Sequence, residues 1–124
     1  MKNVLIIGCG RIAGLNEDDP FRKKPCSHIG AYLSNPAFDV KGVYDINQEA
    51  SETFANKFGI KGRYQDIGKA LSDIKPELVS IAVPYEFNSE IVQTVAQHIN
   101  RPKMIFCEKP IANSLQRAEE MVRV

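Results

Sequence analysis

Short apolar runs alternate along this chain with longer segments in which apolar residues recur at helical spacing. The apolar runs have the length and β-branched content of strands, and they cover residues 3–8, 38–44, 78–83 and 103–107. The first run holds an unbroken apolar stretch, which is typical of a strand buried on both faces of a sheet. Strands separated by helices predict an α/β fold, in which right-handed crossovers place helices on both faces of a doubly wound parallel sheet.

Residues that cap helices precede several of the amphipathic segments. Side chains of Ser, Thr, Asp and Asn accept hydrogen bonds from the free N–H groups at a helix start, and glycine favours a helix end. The predicted helices lie after Asn47 (ending at Gly59), after Asp66, across residues 88–99, and from near Asn113 with Gln116 in the capping-box position.

Two segments depart from this alternation. Residues 14–27 are polar, contain two prolines and show no period, so we predict a long surface loop, and loops of this length are usually functional or disordered. The chain ends at Val124 inside a helical pattern, where a doubly wound sheet would be expected to continue. We therefore expect residues 1–124 to be one domain and the N-terminal part of a longer protein.

Composition narrows the class of protein. A chain of 124 residues that is 44% hydrophobic supports one core, and 16 basic against 15 acidic residues leave a net charge of +1. This balance argues against nucleic-acid binding and against a polybasic membrane patch. The longest apolar run is too short to span a bilayer, no signal peptide is visible, and three cysteines without C-x-x-C spacing favour neither disulfides nor a zinc site. We expect a soluble protein in the reducing cytoplasm, with no metal.

A glycine-rich turn follows the first predicted strand. Residues 8–13 match G-x-G-x-x-A, where Gly8 permits a tight turn, Gly10 lets the backbone approach a pyrophosphate, and Ala13 lets a helix pack on the strand. The N–H groups of a helix opening there would bind the anion. The pattern predicts a dinucleotide site; the alternative is a purely structural strand-to-helix turn.

An acidic residue ends the second predicted strand. Asp45 can accept hydrogen bonds from an adenosine ribose and would repel a 2′-phosphate, while Ile46 follows it and no arginine is adjacent. This favours NAD over NADP. Asp45 lies further from Ala13 than the usual spacing of about 20 residues, and the loop over residues 14–27 accounts for most of the excess. The alternative is that Asp45 is an N-terminal charge on the next helix.

Two further segments carry a family resemblance. Residues 82–88 (AVPYEFN) and 106–112 (FCEKPIA) follow the third and fourth strands. With these two segments, the glycine turn and Asp45, the chain resembles the N-terminal Rossmann domain of the Gfo/Idh/MocA family. The members of this family are nicotinamide-dependent sugar and cyclitol oxidoreductases. Residues 27–32 also resemble the family's helix after the glycine turn. The most specific element is Glu108-Lys109-Pro110.

The resemblance implies roles for individual residues. Glu108 would lie near the nicotinamide ribose, and the Lys109–Pro110 peptide would be cis. Lys109 would be catalytic, since an ammonium beside the reacting C–O bond stabilises negative charge and, when desolvated, assists proton transfer. The alternatives are a solvated lysine and a proline that merely ends the strand. The implied cofactor-binding set is Gly8, Gly10, Arg11, Ile12, Ala13, Asp45, Ile46, Val83, Pro84, Asn88, Glu108 and Lys109.

The chain also departs from the family pattern. The family commonly has T-P-N-x-x-H after the third strand, whereas Tyr85 stands here for the asparagine and Asn88 for the histidine. Asn88 can donate and accept hydrogen bonds but does not titrate near neutrality, and Tyr85 either stacks on the cofactor or covers the cleft. No catalytic triad or carboxylate pair stands out. We expect structural roles for His28, His98, Cys9 and Cys107.

The resemblance implies an oxidoreductase that moves a hydride between nicotinamide C4 and a hydroxyl or keto group of a sugar or cyclitol. In the family a second domain carries the substrate pocket and the oligomer interface, so this chain alone is expected to bind the cofactor and catalyse little. A homo-oligomer would form through that missing domain. The alternatives are a stand-alone NAD(H)-sensing regulatory module and an inactive structural relative.

Overall fold

The computed structural model describes residues 1–124, which form five strands and five α-helices. The strands are β1 (Lys2–Ile7), β2 (Phe38–Tyr44), β3 (Gly62–Tyr64), β4 (Leu78–Ile81) and β5 (Met104–Cys107). The helices are α1 (His28–Leu33), α2 (Gln48–Phe58), α3 (Ile67–Ile74), α4 (Asn88–Gln97) and α5 (Leu115–Arg123), with 3₁₀ turns over Leu15–Asp18 and Tyr85–Phe87.

All five strands are parallel, in the order β3-β2-β1-β4-β5. The most apolar strand, β1, lies at the centre, and it is fully buried from Val4 to Ile7. The chain leaves β1 towards β2 on one side and later returns to β4 on the other. The sheet therefore has its topological switch point at the carboxyl ends of β1 and β4, where open α/β sheets bind ligands. The predicted doubly wound Rossmann-type sheet is confirmed.

The helices cover both faces of the sheet, because alternate side chains of a strand point to opposite sides. Val4 and Ile6 pack towards α1 and α2, and Leu5 and Ile7 pack towards α3 and α4. Each face thus has its own apolar cluster, and β1 is shared by both. None of the helices combines the length and the apolar character that a membrane crossing requires.

The predicted caps of α2 and α3 are confirmed. The Asn47 side chain accepts from the Ala50 N–H at 3.2 Å, and Gly59 ends α2 in the left-handed conformation with φ 69°. Asp66 accepts from the Lys69 N–H at 2.8 Å. These local hydrogen bonds set where each helix begins relative to the cleft described below.

The predicted start of the last helix is wrong by one residue. Ser114, and not Asn113, is the N-cap of α5, since its hydroxyl accepts from the Arg117 N–H at 3.2 Å. Gln116 therefore does not occupy the capping-box position. The third strand ends earlier than predicted, at Ile81, and the short edge strand β3 has no counterpart among the predicted elements.

The helix expected to open at the glycine turn is only a single turn long, and the helix expected over residues 27–32 is confirmed as α1, with Ser27 as its N-cap. The chain makes one helical turn through residues 11–14, continues into the 3₁₀ turn Leu15–Asp18, and reaches α1 only at His28. The loop over residues 14–27 is exposed between residues 20 and 25, as predicted. Its two ends are anchored, because Asn16 is buried and the Glu17 carboxylate accepts from Cys26 N–H and from the Ser27 hydroxyl.

Candidate dinucleotide-binding site

A cleft of about 480 Å³ lies at the carboxyl ends of β1, β2 and β4. Its position is the topological switch point of the sheet, and it gathers several residues that the sequence predicts for a cofactor site. The lining residues are Gly8, Cys9, Gly10, Tyr44, Asp45, Ile46, Ile67, Ala82, Val83, Pro84, Phe87, Glu90, Ile91 and Thr94.

The two glycines of the turn differ in whether the fold leaves room for a side chain. Gly8 has φ +99°, and a Cβ there would lie 2.5 Å from the Ala82 carbonyl oxygen, so the packing of β1 against β4 excludes a side chain. A Cβ on Gly10 would meet nothing within 4 Å. The fold therefore does not require glycine at position 10. Its missing side chain leaves open space beside the cleft.

The turn also leaves backbone donors without partners. The carbonyl oxygens of Gly10 and Arg11 accept from residues 14–16, whereas the N–H groups of Gly10, Arg11 and Ile12 have no acceptor in the chain. Free N–H groups at the start of a helical turn bind anions. Because only a single turn follows, such binding would depend on these N–H groups and not on the dipole of a long helix.

Asp45 is fixed at the end of β2, facing the glycine turn. One carboxylate oxygen accepts from the Cys9 N–H at 2.9 Å, and the other accepts from the Asn47 N–H at 2.9 Å. Each oxygen keeps a lone pair for a ligand hydroxyl. Burial, reinforced by Asp45, raises the pKa of Cys9 to about 12, so this thiol stays protonated and has the expected structural role.

The Glu108–Pro110 turn follows β5 and is held from behind. The Lys109–Pro110 peptide is cis, and the Lys109 N–H donates to the Glu108 carboxylate at 3.2 Å. Asn88, at the start of α4, is fully buried, and its amide donates to the carbonyl oxygens of Glu108 and Pro110 at 3.2 Å each. Asn88 thus supports this turn from behind and does not line the cleft.

The remaining predicted residues lie in three different environments. Ile12 and Glu108 line a second groove of about 450 Å³, which His28, Tyr32 and Phe106 also line. Ala13 is fully buried in the core, as expected for a residue that allows close packing. Arg11 and Lys109 are exposed, and the Arg11 guanidinium donates to the Asn16 side chain at 3.2 Å. This domain by itself therefore does not desolvate the Lys109 ammonium.

Several residues that line the cleft are not among those predicted from the sequence. Phe87, Glu90, Ile91 and Thr94 form one wall, and their i, i+3, i+4 and i+7 spacing places them on one face of the start of α4. That spacing, together with the position directly after Pro84, is the signal that could have identified them. Tyr85 is exposed in the 3₁₀ turn and does not line the cleft.

Cys107 and His98 have surroundings that suit structural roles. Burial, with Glu108 as a smaller cause, raises the pKa of Cys107 to about 11, and His98 Nδ1 accepts from the Asn100 N–H at 3.0 Å beyond the end of α4. His28 is different. It is buried, and its ring contacts both Ser80 and Glu108, which links it to the candidate site.

Comparison with known proteins gives the family. Residues 2–124 match the model of an oxidoreductase family with an NAD-binding Rossmann fold, Gfo/Idh/MocA. Glucose-6-phosphate 3-dehydrogenase of Bacillus subtilis is 31% identical over 121 residues, which are 98% of this chain and 29% of that protein. D-glucoside 3-dehydrogenase of Escherichia coli is 25% identical over 118 residues, which are 95% of this chain and 30% of that protein.

Solved structures agree on the fold. A myo-inositol dehydrogenase from Lactobacillus casei, in complex with NAD(H) and myo-inositol, superposes with a TM-score of 0.78 at 23% identity, covering 99% of this chain and 32% of that one. An oxidoreductase from Agrobacterium radiobacter, in complex with NAD⁺, L-tartaric acid and magnesium, gives 0.77 at 26% identity, covering 98% and 31%. The chain spans about three tenths of the length of these relatives. It belongs to the Gfo/Idh/MocA oxidoreductase family, whose NAD-binding Rossmann fold it adopts.

Proposed function

We propose that residues 1–124 are the N-terminal, cofactor-binding domain of a longer two-domain dehydrogenase, and that NAD(H) binds in the 480 Å³ cleft. The observation that carries this proposal is that two features meet at the glycine turn. The N–H groups of Gly10, Arg11 and Ile12 have no partner in the chain, and the Asp45 carboxylate is held against the same turn by the backbone N–H groups of Cys9 and Asn47. A dinucleotide presents a pyrophosphate and a ribose to match them.

The walls of the cleft suit the rest of the adenosine half. Ile46 is 88% exposed, and Val83, Pro84 and Phe87 provide further apolar surface in the cleft. An adenine ring would lie between these side chains, since flat apolar walls bind bases with little need for specific hydrogen bonds. Gly8 would have an indirect role, because it lets β1 approach β4 closely enough to shape the cleft.

Charge in the cleft supports NAD over NADP. The only ionisable carboxylates on its walls are Asp45 and Glu90, and neither arginine nor lysine lines it. A 2′-phosphate on the adenosine ribose would meet negative charge with no cation to offset it. We therefore expect NADH to bind more tightly than NADPH.

The chemistry follows from the second turn. When bound, the nicotinamide supplies a hydride acceptor or donor. Glu108 would lie near its ribose, and the exposed Lys109 would place an ammonium beside the substrate oxygen, where it stabilises developing negative charge. The relatives named glucose-6-phosphate 3-dehydrogenase, D-glucoside 3-dehydrogenase and myo-inositol dehydrogenase favour a secondary alcohol of a sugar or cyclitol as substrate.

The surface of the chain is consistent with a further domain. Met104 is 63% exposed and Phe106 is 50% exposed along β5, and Leu115 and Val122 are exposed on α5. In the whole protein, a second domain packed there would desolvate Lys109 and supply the substrate pocket, and a homo-oligomer would form through it. A cytoplasmic location remains a prediction. We expect the 124-residue chain alone to bind cofactor without appreciable turnover.

A titration tests the proposal directly. NADH and NADPH are each titrated into the chain by calorimetry, with tighter NADH binding expected. Asp45→Ala should weaken NADH binding about tenfold, because it removes charge-assisted hydrogen bonds to the ribose. Asp39→Ala is the matched control, since Asp39 lies at the opposite end of the same strand, paired with Lys41. Absence of NADH binding to the unmodified chain, or tighter NADPH binding, would contradict the proposal.

A further inference from the structure

His28 connects the two turns of the candidate site. Its backbone N–H donates to the Ile12 carbonyl oxygen at 3.0 Å, which joins the start of α1 to the glycine turn. The residue is 6% exposed, and its ring lies against Phe106, with 4.9 Å between ring centroids. Nε2 lies 3.1 Å from the Glu108 carboxylate, although the two residues are 80 positions apart.

The other ring nitrogen also has a buried partner. Nδ1 lies 3.1 Å from the hydroxyl of Ser80, which is fully buried on β4. The Tyr32 hydroxyl, one turn along α1 from His28, is hydrogen-bonded to the same Ser80 oxygen. The result is a continuous series of four polar groups running from Tyr32 to Glu108 through the interior.

The chemistry of the two end groups sets the direction of these hydrogen bonds. A carboxylate only accepts, so the Nε2 that faces Glu108 carries a proton, and in a neutral ring Nδ1 then accepts from Ser80. At the other end, burial raises the pKa of Tyr32, so its phenol keeps a proton to donate. With a neutral His28 ring, Tyr32 donates to Ser80, Ser80 to His28, and His28 to Glu108, and every member of the series has a partner.

We propose that His28 is a positioning residue, whose Nε2–H holds the Glu108 carboxylate in the orientation that the cofactor needs, with Ser80 and Tyr32 holding the ring. That the orientation serves a cofactor rests on the function proposed above. The Glu108 carboxylate receives one further donor, the Lys109 N–H at 3.2 Å, so its orientation is coupled to the backbone of Lys109.

Asn88 does not duplicate this role. Its amide reaches the carbonyl oxygens of Glu108 and Pro110 and has no contact with the carboxylate. His28 is the side chain that donates to the Glu108 carboxylate. Two separate devices therefore hold the turn: an amide holds its backbone, and an imidazole holds its acidic side chain.

Nitrogen NMR of the chain tests the hydrogen-bond series without any cofactor. The expected result is a His28 ring protonated on Nε2 and unprotonated on Nδ1. Ser80→Ala and Tyr32→Phe should shift the Nδ1 resonance, and Glu108→Gln should shift Nε2. The ring of His98, at the end of α4, is the internal control and should not respond. An unprotonated Nε2, or an Nε2 resonance unmoved by Glu108→Gln, would overturn the proposal.

NADH titration tests the positioning role. His28→Ala should weaken NADH binding about tenfold, because the Glu108 carboxylate loses a directed donor. His28→Gln retains an N–H donor at similar reach and should recover most of that loss, while His98→Gln should match the unmodified chain. If His28→Ala does not fold, His28→Gln and Ser80→Ala carry the comparison, with Ser80→Ala expected to weaken binding about threefold.

The two proposals fail in different ways. NADH affinity that is equal in the unmodified chain and in the His28 and Ser80 variants would refute the positioning role and leave the cofactor site intact. If the unmodified chain binds no NADH, the cofactor site is refuted and the positioning role for a cofactor falls with it. The NMR measurement then still decides whether His28 orients Glu108.

Discussion

Substituting the two glycines of the turn separates what the fold needs from what the cofactor needs. In Gly8→Ala the new methyl group would lie 2.5 Å from the Ala82 carbonyl oxygen and 2.7 Å from its carbon, at φ +99°. The left-handed backbone costs about 1–2 kcal/mol for a residue with a Cβ. The overlap forces β1 and β4 apart and costs about 1–3 kcal/mol more.

A smaller contribution to the free energy of unfolding opposes these costs. Alanine restricts the unfolded chain more than glycine does, which stabilises the folded state by about 0.4–1 kcal/mol. The net expectation for Gly8→Ala is a loss of about 3 kcal/mol in the free energy of unfolding, or about 12 °C in melting temperature for a domain of this size. Gly10→Ala meets nothing within 4 Å and should leave the free energy of unfolding within about 0.5 kcal/mol of the parent value.

Urea unfolding followed by far-ultraviolet circular dichroism measures both variants, since the chain has no tryptophan to report by fluorescence. The same proteins are then titrated with NADH. We expect Gly10→Ala to weaken binding about tenfold, because the methyl group occupies the space in which a pyrophosphate approaches the backbone. If Gly8→Ala is as stable as the parent, the close approach of β1 to β4 is not what excludes a side chain there.

Three further predictions concern the second turn and the buried thiol of Cys9. Asn88→Ala should lower the free energy of unfolding by about 2 kcal/mol in urea, because the carbonyl oxygens of Glu108 and Pro110 lose their buried donor. Lys109→Ala should leave NADH binding by this chain near the parent value, since the side chain is exposed, but lower turnover of the whole enzyme at least about a hundredfold in steady-state assays. Burial, helped by Asp45, raises the pKa of Cys9 from 9.0 to about 12, so stability present below pH 9 should be lost as the pH rises toward 12. The urea concentration at the unfolding midpoint should therefore be lower at pH 10 than at pH 8. The difference should be smaller in Cys9→Ala.

Local features of the fold were predictable because their causes are local. The apolar run of β1, the Asn47 and Asp66 caps and the Gly59 helix end each depend on residues within one turn of each other. Strand β3 was not predictable, since Gly62–Tyr64 has no apolar period and becomes a strand only by pairing with Gly42–Tyr44 of β2. Pairing of that kind depends on tertiary structure.

In the candidate site, too, some contacts could be predicted from the sequence and others could not. The glycine turn and Asp45 follow strand ends, and parallel strands bring their carboxyl ends together, so their meeting could be predicted. The contact between His28 and Glu108 joins residues 80 positions apart, and nothing in the sequence around His28 indicates it. Asn88 lies where the resemblance implies a cofactor contact, but its burial depends on the path of the Glu108–Pro110 turn.

The exposed edge of β5 limits how further strands can add to this sheet. β5 is the last strand of the sheet, so one row of its backbone N–H and C=O groups has no neighbouring strand, and such rows are templates for unwanted pairing between chains. Pro102 and Pro110 bracket this strand, and a proline has no N–H to offer. A second chain could therefore add only a short ladder at this edge, which should keep the isolated domain from polymerising through its sheet even when it is concentrated for titration or NMR.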